Sequence, residues 1–401
     1  MLKLFHPSIR ANDNKMERTL RLSLNQFENV PDLLRPFPEK DLAYSGILVN
    51  LANLYHQYYL DSYNSGPPNP DPATFEHLRF LAATSDFRLL GDGIGVHPGI
   101  RRHKSNELGQ AFCRVFLHDY MRITYFAHMA HVLGRSSNPP FRSVSVERVQ
   151  EGDAPDYLCA SASSQVYLAE AKGRYSSISF ASREFDSWRR QFCRITVKNP
   201  NGQKRSVKGF IVATRFGTED HPRVNSQIFA EDPERPGEEA LDEESTATLQ
   251  RQIARIHYGG VASKLNQHLL AAALLGGFPI PEELQFPATV WELRLGPLAG
   301  SRFVGGYFSP LGQLQGHEEN RGIVFVSSDP FRLDVGRGTF FGLEEAIFKH
   351  LTQMARLGPE GRVLLRPYES GRPFYSAVSI MRDGTILAPL EFLAAVQQVV
   401  L

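Results

Sequence analysis

"PDYLCASASSQVYLAEAKGR" spans residues 155–174: a Pro-Asp pair, an apolar run, a Ser/Ala-rich break, a second apolar run, and then Glu-Ala-Lys. Alternate residues of a strand point to one face, so Glu170 and Lys172 would stand side by side, roughly 7 Å apart. The run "QVYLAEAK" (165–172) is nearly all apolar until Glu170, as in a strand covered on both faces. Asp156 lies fourteen positions before Glu170. An antiparallel return through "ASASSQ" would bring the two carboxylates together. They repel unless a cation lies between them, and an all-oxygen ligand set suits magnesium or manganese. A protonated lysine is no metal ligand, but it can hold a phosphate oxygen, position a water, or offset charge as a phosphodiester opens. The plainer alternative makes Asp156 a turn acid and Glu170 and Lys172 a solvated strand end.

The flanking sequence extends the pattern. "SNELGQAFCRVFLHDYMRITYFAHMAHVLG" (105–134) predicts one strong helix with Leu108, Phe112, Val115, Phe116, Ile123 and Phe126 on one face. "RSVSVERV" (142–149) alternates as a strand, and "DYLCA" (156–160) returns antiparallel to its neighbour. "SREFDSWRRQFCRI" (182–195) is an amphipathic helix burying Phe185, Trp188, Phe192 and Ile195, with its arginines mainly on the other side. "KGFIVAT" (208–214) is a further continuous apolar strand. The resulting order is helix, three strands, helix, strand.

This pattern resembles the PD-(D/E)xK phosphodiesterase superfamily, the restriction-endonuclease-like nucleases. The matching residues are Pro155, Asp156, Glu170, Ala171 and Lys172, with Gly173 following, and the element order agrees over about residues 101–216. The resemblance implies that Asp156 and Glu170 bind Mg2+ or Mn2+, with the Ala171 carbonyl as a further ligand, and that Lys172 is the catalytic lysine. Glu107 on the first helix is the candidate for an additional acid. Gln191 matches a supporting glutamine on the helix after the lysine. Ile195 stands where some subgroups carry a tyrosine, a departure from those subgroups.

Composition bounds the alternatives. The 401 residues carry a net charge of +1, with 42% hydrophobic and 22% charged residues, as in an ordinary globular protein. The richest apolar run, "LLAAALLGG" near residue 270, is far too short to span a membrane. The first residues lack the apolar region and cleavage site of a signal peptide, and Cys113, Cys159 and Cys193 form no paired framework. Cytoplasm is the expected compartment. Between Lys172 and Arg215 stand eleven basic residues against two acids, and from Asp232 to Glu244 seven acids against one arginine. Such a basic block would bind nucleic acid, with Arg174, Arg183, Arg189, Arg190, Lys204 and Arg205 as candidates; the alternative is a pair of solvated faces.

Four regions follow. Residues 1–100 read as a mostly helical lead-in, with a stripe of Ile47, Leu48, Leu51, Leu54, Tyr55 and Tyr58; 101–231 hold the nuclease-like core; 232–244 form an acidic linker. Residues 245–401 form a second α/β domain, expected to select substrate or partner. It would hold a helix at 245–275, strands near 288–295, 302–308 and 322–327, a helix at 342–357 and a hairpin turning at Asp383-Gly384. "GDGIGVHPG" (91–99) has no following Lys-Ser/Thr and reads as a turn. "HMAH" (128–131) lacks a zincin's intervening acid and third ligand, so it reads as a helix-surface or core pair. The fold expected is α/β, a mixed sheet flanked by helices. The function expected is a metal-dependent endonuclease hydrolysing phosphodiester bonds, DNA favoured over RNA, in phage defence, restriction or repair. The rivals are a nuclease-like nucleic-acid-binding or assembly module that no longer cuts, and an RNA-directed nuclease.

Overall fold

In chain order the elements begin with β1 (Glu17–Asn25), β2 (Gly46–Asn50), α1 (Leu51–Ser62), α2 (Glu76–Arg79), β3 (Arg88–Leu89) and α3 (Pro98–Met121). They continue with β4 (Ile123–His128), α4 (Met129–Leu133), β5 (Ser145–Arg148), β6 (Tyr157–Ser161), β7 (Val166–Arg174) and α5 (Arg183–Phe192). Next come β8 (Ile195–Lys198), β9 (Lys204–Arg205), β10 (Lys208–Arg215), β11 (Gly217–Thr218), β12 (Gln227–Glu231), α6 (Glu243–Lys264) and α7 (His268–Gly276). The last are β13 (Pro287–Leu293), β14 (Arg302–Phe308), β15 (Thr339–Glu344), α8 (Glu345–Leu357), β16 (Ser379–Ile380), β17 (Thr385–Pro389) and β18 (Leu393–Val400). The computed structural model describes residues 16–37, 40–62, 70–72, 75–133, 144–163, 165–233, 239–308, 338–358, 368 and 378–400.

The chain is mixed α/β. One compact unit joins the residues up to Asp61 with Phe80–His257; the other joins Ser62–Arg79 with Tyr258 onward, the division falling inside α6. The first unit holds a seven-stranded mixed sheet in the order β2-β1-β12-β10-β7-β6-β4. β6 runs antiparallel to both β4 and β7, while β10 runs parallel to β7 after the α5 crossover. Helix α3 lies on β7 at a glycine contact. A Cβ on Gly173 would sit 1.8 Å from the Ser105 carbonyl oxygen, and one on Gly109 would sit 2.5 Å from the Gly173 nitrogen. Only glycine permits that approach. Helix α5 is capped by the Ser182 hydroxyl, which accepts from the Phe185 N–H at 3.2 Å. It packs Phe185 and Trp188 against Ile211, Ala213 and Phe229 of β10 and β12.

The structure corrects several sequence expectations. The N-terminal region is not mostly helical: "ERTLRLSLN" alternates and forms β1, and "GILVN" forms β2 beside it. Ile47 and Leu48 belong to β2, and only Leu51, Leu54, Tyr55 and Tyr58 line a helix, which Asn50 caps by accepting from the Ala52 N–H at 2.9 Å. The long helix begins earlier than expected, at Pro98, and ends at Met121. Arg122 takes the left-handed conformation at φ 56, and Ile123–His128 become β4, paired with β6. Ile, Thr, Tyr and Phe in succession favour a pleated strand, although Ile123 and Phe126 also suit a helical stripe. The alternating segment around 145–148 is β5, which joins β8 and β9 in a separate small sheet. The first strand of the meander is therefore β4. The expected linker is not a free tether where it is described. Asp232 is buried and paired with Lys208 at 2.6 Å, and the Glu239 carbonyl accepts from the Ser206 N–H at 3.2 Å.

The second unit carries a six-stranded sheet, β16-β17-β15-β14-β13-β18, antiparallel throughout. Its core includes Leu293, Phe303, Phe340, Ile386 and Leu393. The expected helix at 245–275 is two helices, α6 and α7, broken where Asn266 takes φ 60. Gly384 takes φ 81 in the Asp383-Gly384 turn between β16 and β17. The strand expected at 322–327 lies outside the described residues.

Candidate active site

β6 is antiparallel to both its neighbours, so its beginning, the end of β4 and the end of β7 share one end of the sheet. Asp156 precedes β6, and Glu170 and Lys172 lie in the second half of β7. The Ala171 N–H donates to Asp156 Oδ2 at 2.8 Å, and the Asp156 N–H donates to Glu170 Oε2 at 3.2 Å. Each carboxylate is thus bound to main chain at or beside the other's residue. Glu170 is fully buried, and its Oε1 lies against the Lys172 ammonium. The sequence-derived trio therefore converges.

Its electrostatics are those of a crowded anionic site. Burial raises Asp156, with Lys172 opposing, and raises Glu170 well above the usual carboxylate range, with the Asp156 charge adding to it. Burial disfavours the Lys172 ammonium, but Glu170 and Asp156 outweigh it and raise its pKa. Among the described residues no cluster of three or more His, Cys, Asp or Glu side chains is arranged to hold a metal ion. What this site would offer a cation is the carboxylate pair of Asp156 and Glu170. Two mutually destabilised, all-oxygen carboxylates fit a hard divalent cation, whose charge would relieve both.

The remaining sequence candidates separate into distinct roles. Glu107 on α3 accepts from the Tyr58 hydroxyl at 2.7 Å and pairs with Lys104 at 3.2 Å. Gln191 is buried on α5, and its Oε1 has no hydrogen-bond partner among the described residues. Arg189 is held by Glu231, itself fully buried, through bonds of 2.6 and 2.8 Å. Arg174 pairs with Glu184 and stacks on Trp188 at 4.8 Å, and Arg205 pairs with Glu239 at 3.4 Å. Glu231 at the end of β12, with Asp232 and Glu239 of the acidic stretch, thus neutralises part of the basic block, the three taking Arg189, Lys208 and Arg205 in turn. Arg183, Arg190 and Lys204 are exposed and form no ion pair among the described residues.

Arg189→Ala should accordingly act on stability. Among the described residues it leaves the buried Glu231 carboxylate with only the Asn25 amide, at 2.5 Å. We expect a destabilisation of roughly 3 kcal/mol, read as a lower urea midpoint at unchanged slope. A variant unfolding at the wild-type midpoint would free Arg189 for another role.

Sequence reading missed a second polar group at this end of the sheet. Asp61, at the end of α1, receives Arg114 Nη1 and His128 Nε2, each at 3.0 Å, and the Tyr157 hydroxyl at 2.9 Å. Burial opposes its charge, yet His128, Arg114 and Tyr157 hold its pKa at about 2. Nothing local in the sequence links residues 61, 114, 128 and 157; only "HMAH" marked one of them. The chain matches no protein-family model, no curated protein and no solved structure.

Proposed function

We propose that the first unit is a metal-dependent phosphodiesterase that cuts nucleic acid, DNA before RNA. The observation that carries this reading is the meeting of Asp156, Glu170 and Lys172 at one end of a sheet. The carboxyl pair would hold a divalent cation, which supplies charge stabilisation to the phosphoryl group. Lys172 keeps its proton and offers a cationic donor to a phosphate oxygen or to the attacking water. The order α3, β4, β6, β7, α5, β10 supports the reading too, being the helix, three strands, helix, strand that the resemblance implies. The second unit carries no comparable trio among its described residues, and its proposed part is selection of substrate or partner.

Incubating the purified protein with plasmid DNA and with RNA, in magnesium and in EDTA, tests the reading directly. Magnesium-dependent scission of either polymer supports it, and the polymer cut identifies the substrate. Binding without scission in any divalent metal would replace it with a non-cutting binding module.

Arg183, Arg190 and Lys204 are the proposed phosphate-binding side chains. Reversing all three should lower the slope of log affinity against log salt by roughly 0.9 for each phosphate no longer neutralised. Fluorescence anisotropy on a labelled duplex reads it, and an unchanged slope would make these residues a solvated face.

A further inference from the structure

The Asp61 cluster is more than a buried ion pair needs. Arg114 already opposes the Asp61 charge, from a side chain only 4% exposed. It is also held by Gln57 at 2.9 Å and stacked on Phe126 at 4.5 Å. Tyr157 is fully buried. His128 differs from these partners, for its side chain is 29% exposed. Nε2 is committed to Asp61, while Nδ1 has no hydrogen bond among the described residues. An imidazole fixed through one nitrogen by a buried carboxylate presents its other nitrogen in a set orientation. The Met129 N–H, next in sequence, donates to the Asp156 carbonyl at 2.8 Å, which ties the end of β4 to the carboxylate site.

Strand alternation separates the two groups. His128 and Tyr157 face each other across β4 and β6, and Tyr157 pairs with Ala169 of β7. Glu170 and Lys172 point to the opposite side from Ala169, so the two groups adjoin only at the sheet end, around Asp156. A single phosphate would not serve both, but successive phosphates of one strand could. We propose that His128, held by Asp61, is a phosphate-binding residue of the candidate active site, touching the nucleic-acid backbone at a phosphate next to the one that is cut. This rests on the phosphodiesterase reading. Asp61 is the positioning residue. Asp61, Tyr157 and His131 adjoin the ring, and the charges of Arg114 and Asp156 act on it. Burial lowers the basicity of His128, but Asp61 outweighs it and the net shift is upward, favouring a cationic donor.

The test uses the full chain with His128→Ala and His128→Gln, two substrates and one binding probe. With a labelled DNA duplex in metal-free buffer, His128→Ala should bind about tenfold more weakly, with a salt slope lower by roughly 0.9. His128→Gln, which keeps an N–H donor, should recover part of the affinity. On plasmid DNA the loss should appear in KM. Hydrolysis of bis(p-nitrophenyl) phosphate, which has no second phosphate, should fall far less than plasmid cleavage. Unaltered duplex binding in both variants overturns the assignment. So does an equal loss on both substrates, which would mean that His128 acts on the reacting group or, with a lowered unfolding temperature, only on the fold. If the wild-type chain cuts neither DNA nor RNA in any divalent metal while His128→Ala weakens duplex binding as stated, the phosphodiesterase reading fails and the phosphate-binding role of His128 stands.

Discussion

Lys172→Ala should slow nucleic-acid cleavage by about a hundredfold or more while leaving duplex binding near the wild-type value. Removing one preorganised cationic donor from a water-poor site costs about two to three powers of ten in rate. On the proposed reading, most of the binding energy would come from phosphates held elsewhere and would be untouched. The same substitution strips the ammonium from a fully buried Glu170, whose pKa burial already raises. Glu170 should then hold its proton more tightly, so magnesium binding should survive but need a higher pH to reach the same affinity. Plasmid nicking and calorimetry across pH together read both effects. A variant that cuts at the wild-type rate, with contaminating nuclease excluded, would remove Lys172 from the chemistry.

Asp156→Asn should abolish metal-dependent cleavage and, in EDTA, raise the unfolding temperature. The asparagine carbonyl can still accept from the Ala171 N–H, but the charge that burial penalises and that raises Glu170 is gone. A carboxyl group whose pKa is raised by folding contributes stability that is complete below its ordinary value of about 4. That contribution is lost as pH rises through the folded value. Without metal, the wild type therefore carries this loss at pH 7 to 8 for both carboxyl groups, and the variant is spared the share of Asp156. The gain should be on the order of 1 kcal/mol, a few degrees, closing towards pH 4. Magnesium should raise the wild-type unfolding temperature and leave the variant's unmoved. A variant that magnesium stabilises as strongly as the wild type would exclude Asp156 as a ligand.

The trio was legible because its geometry is local: i and i+2 on one strand, and a short antiparallel return. Helix α5 was legible from its apolar spacing, and β10 from its continuous apolar run. β4 was not, because Ile123 and Phe126 continue the stripe of α3, and the break at Arg122 is a left-handed backbone with no glycine to announce it. β1 was missed: its residues alternate, but they fall in a stretch that reads as a helical lead-in, and its place in the sheet depends on a partner some 200 residues away. The basic block was visible as composition, while its neutralisation by Glu231, Asp232 and Glu239 depends on tertiary pairing. The Asp61 cluster escaped for the same reason: four residues on four elements carry no shared spacing.

The position of β1 governs how the unit is assembled. β1 lies between β2 and β12, and the Asn25–Glu231 bond closes a loop of 206 positions. At a synthesis rate of about 5–20 residues per second, β1 waits roughly 10 to 40 seconds for that partner to emerge. Until then β2 covers one edge and the 85–87 segment bonds only Thr19 on the other, leaving Arg21–Asn25 open to any strand that reaches them. β7 meets no such delay, since its sheet neighbours β6 and β10 lie close to it in the chain. The nascent chain can therefore complete its carboxylate pair while its outer sheet edge is still unpaired. A fragment limited to residues 101–216 would make that transient state permanent, leaving β10 without β12 and exposing a sheet edge prone to aggregation.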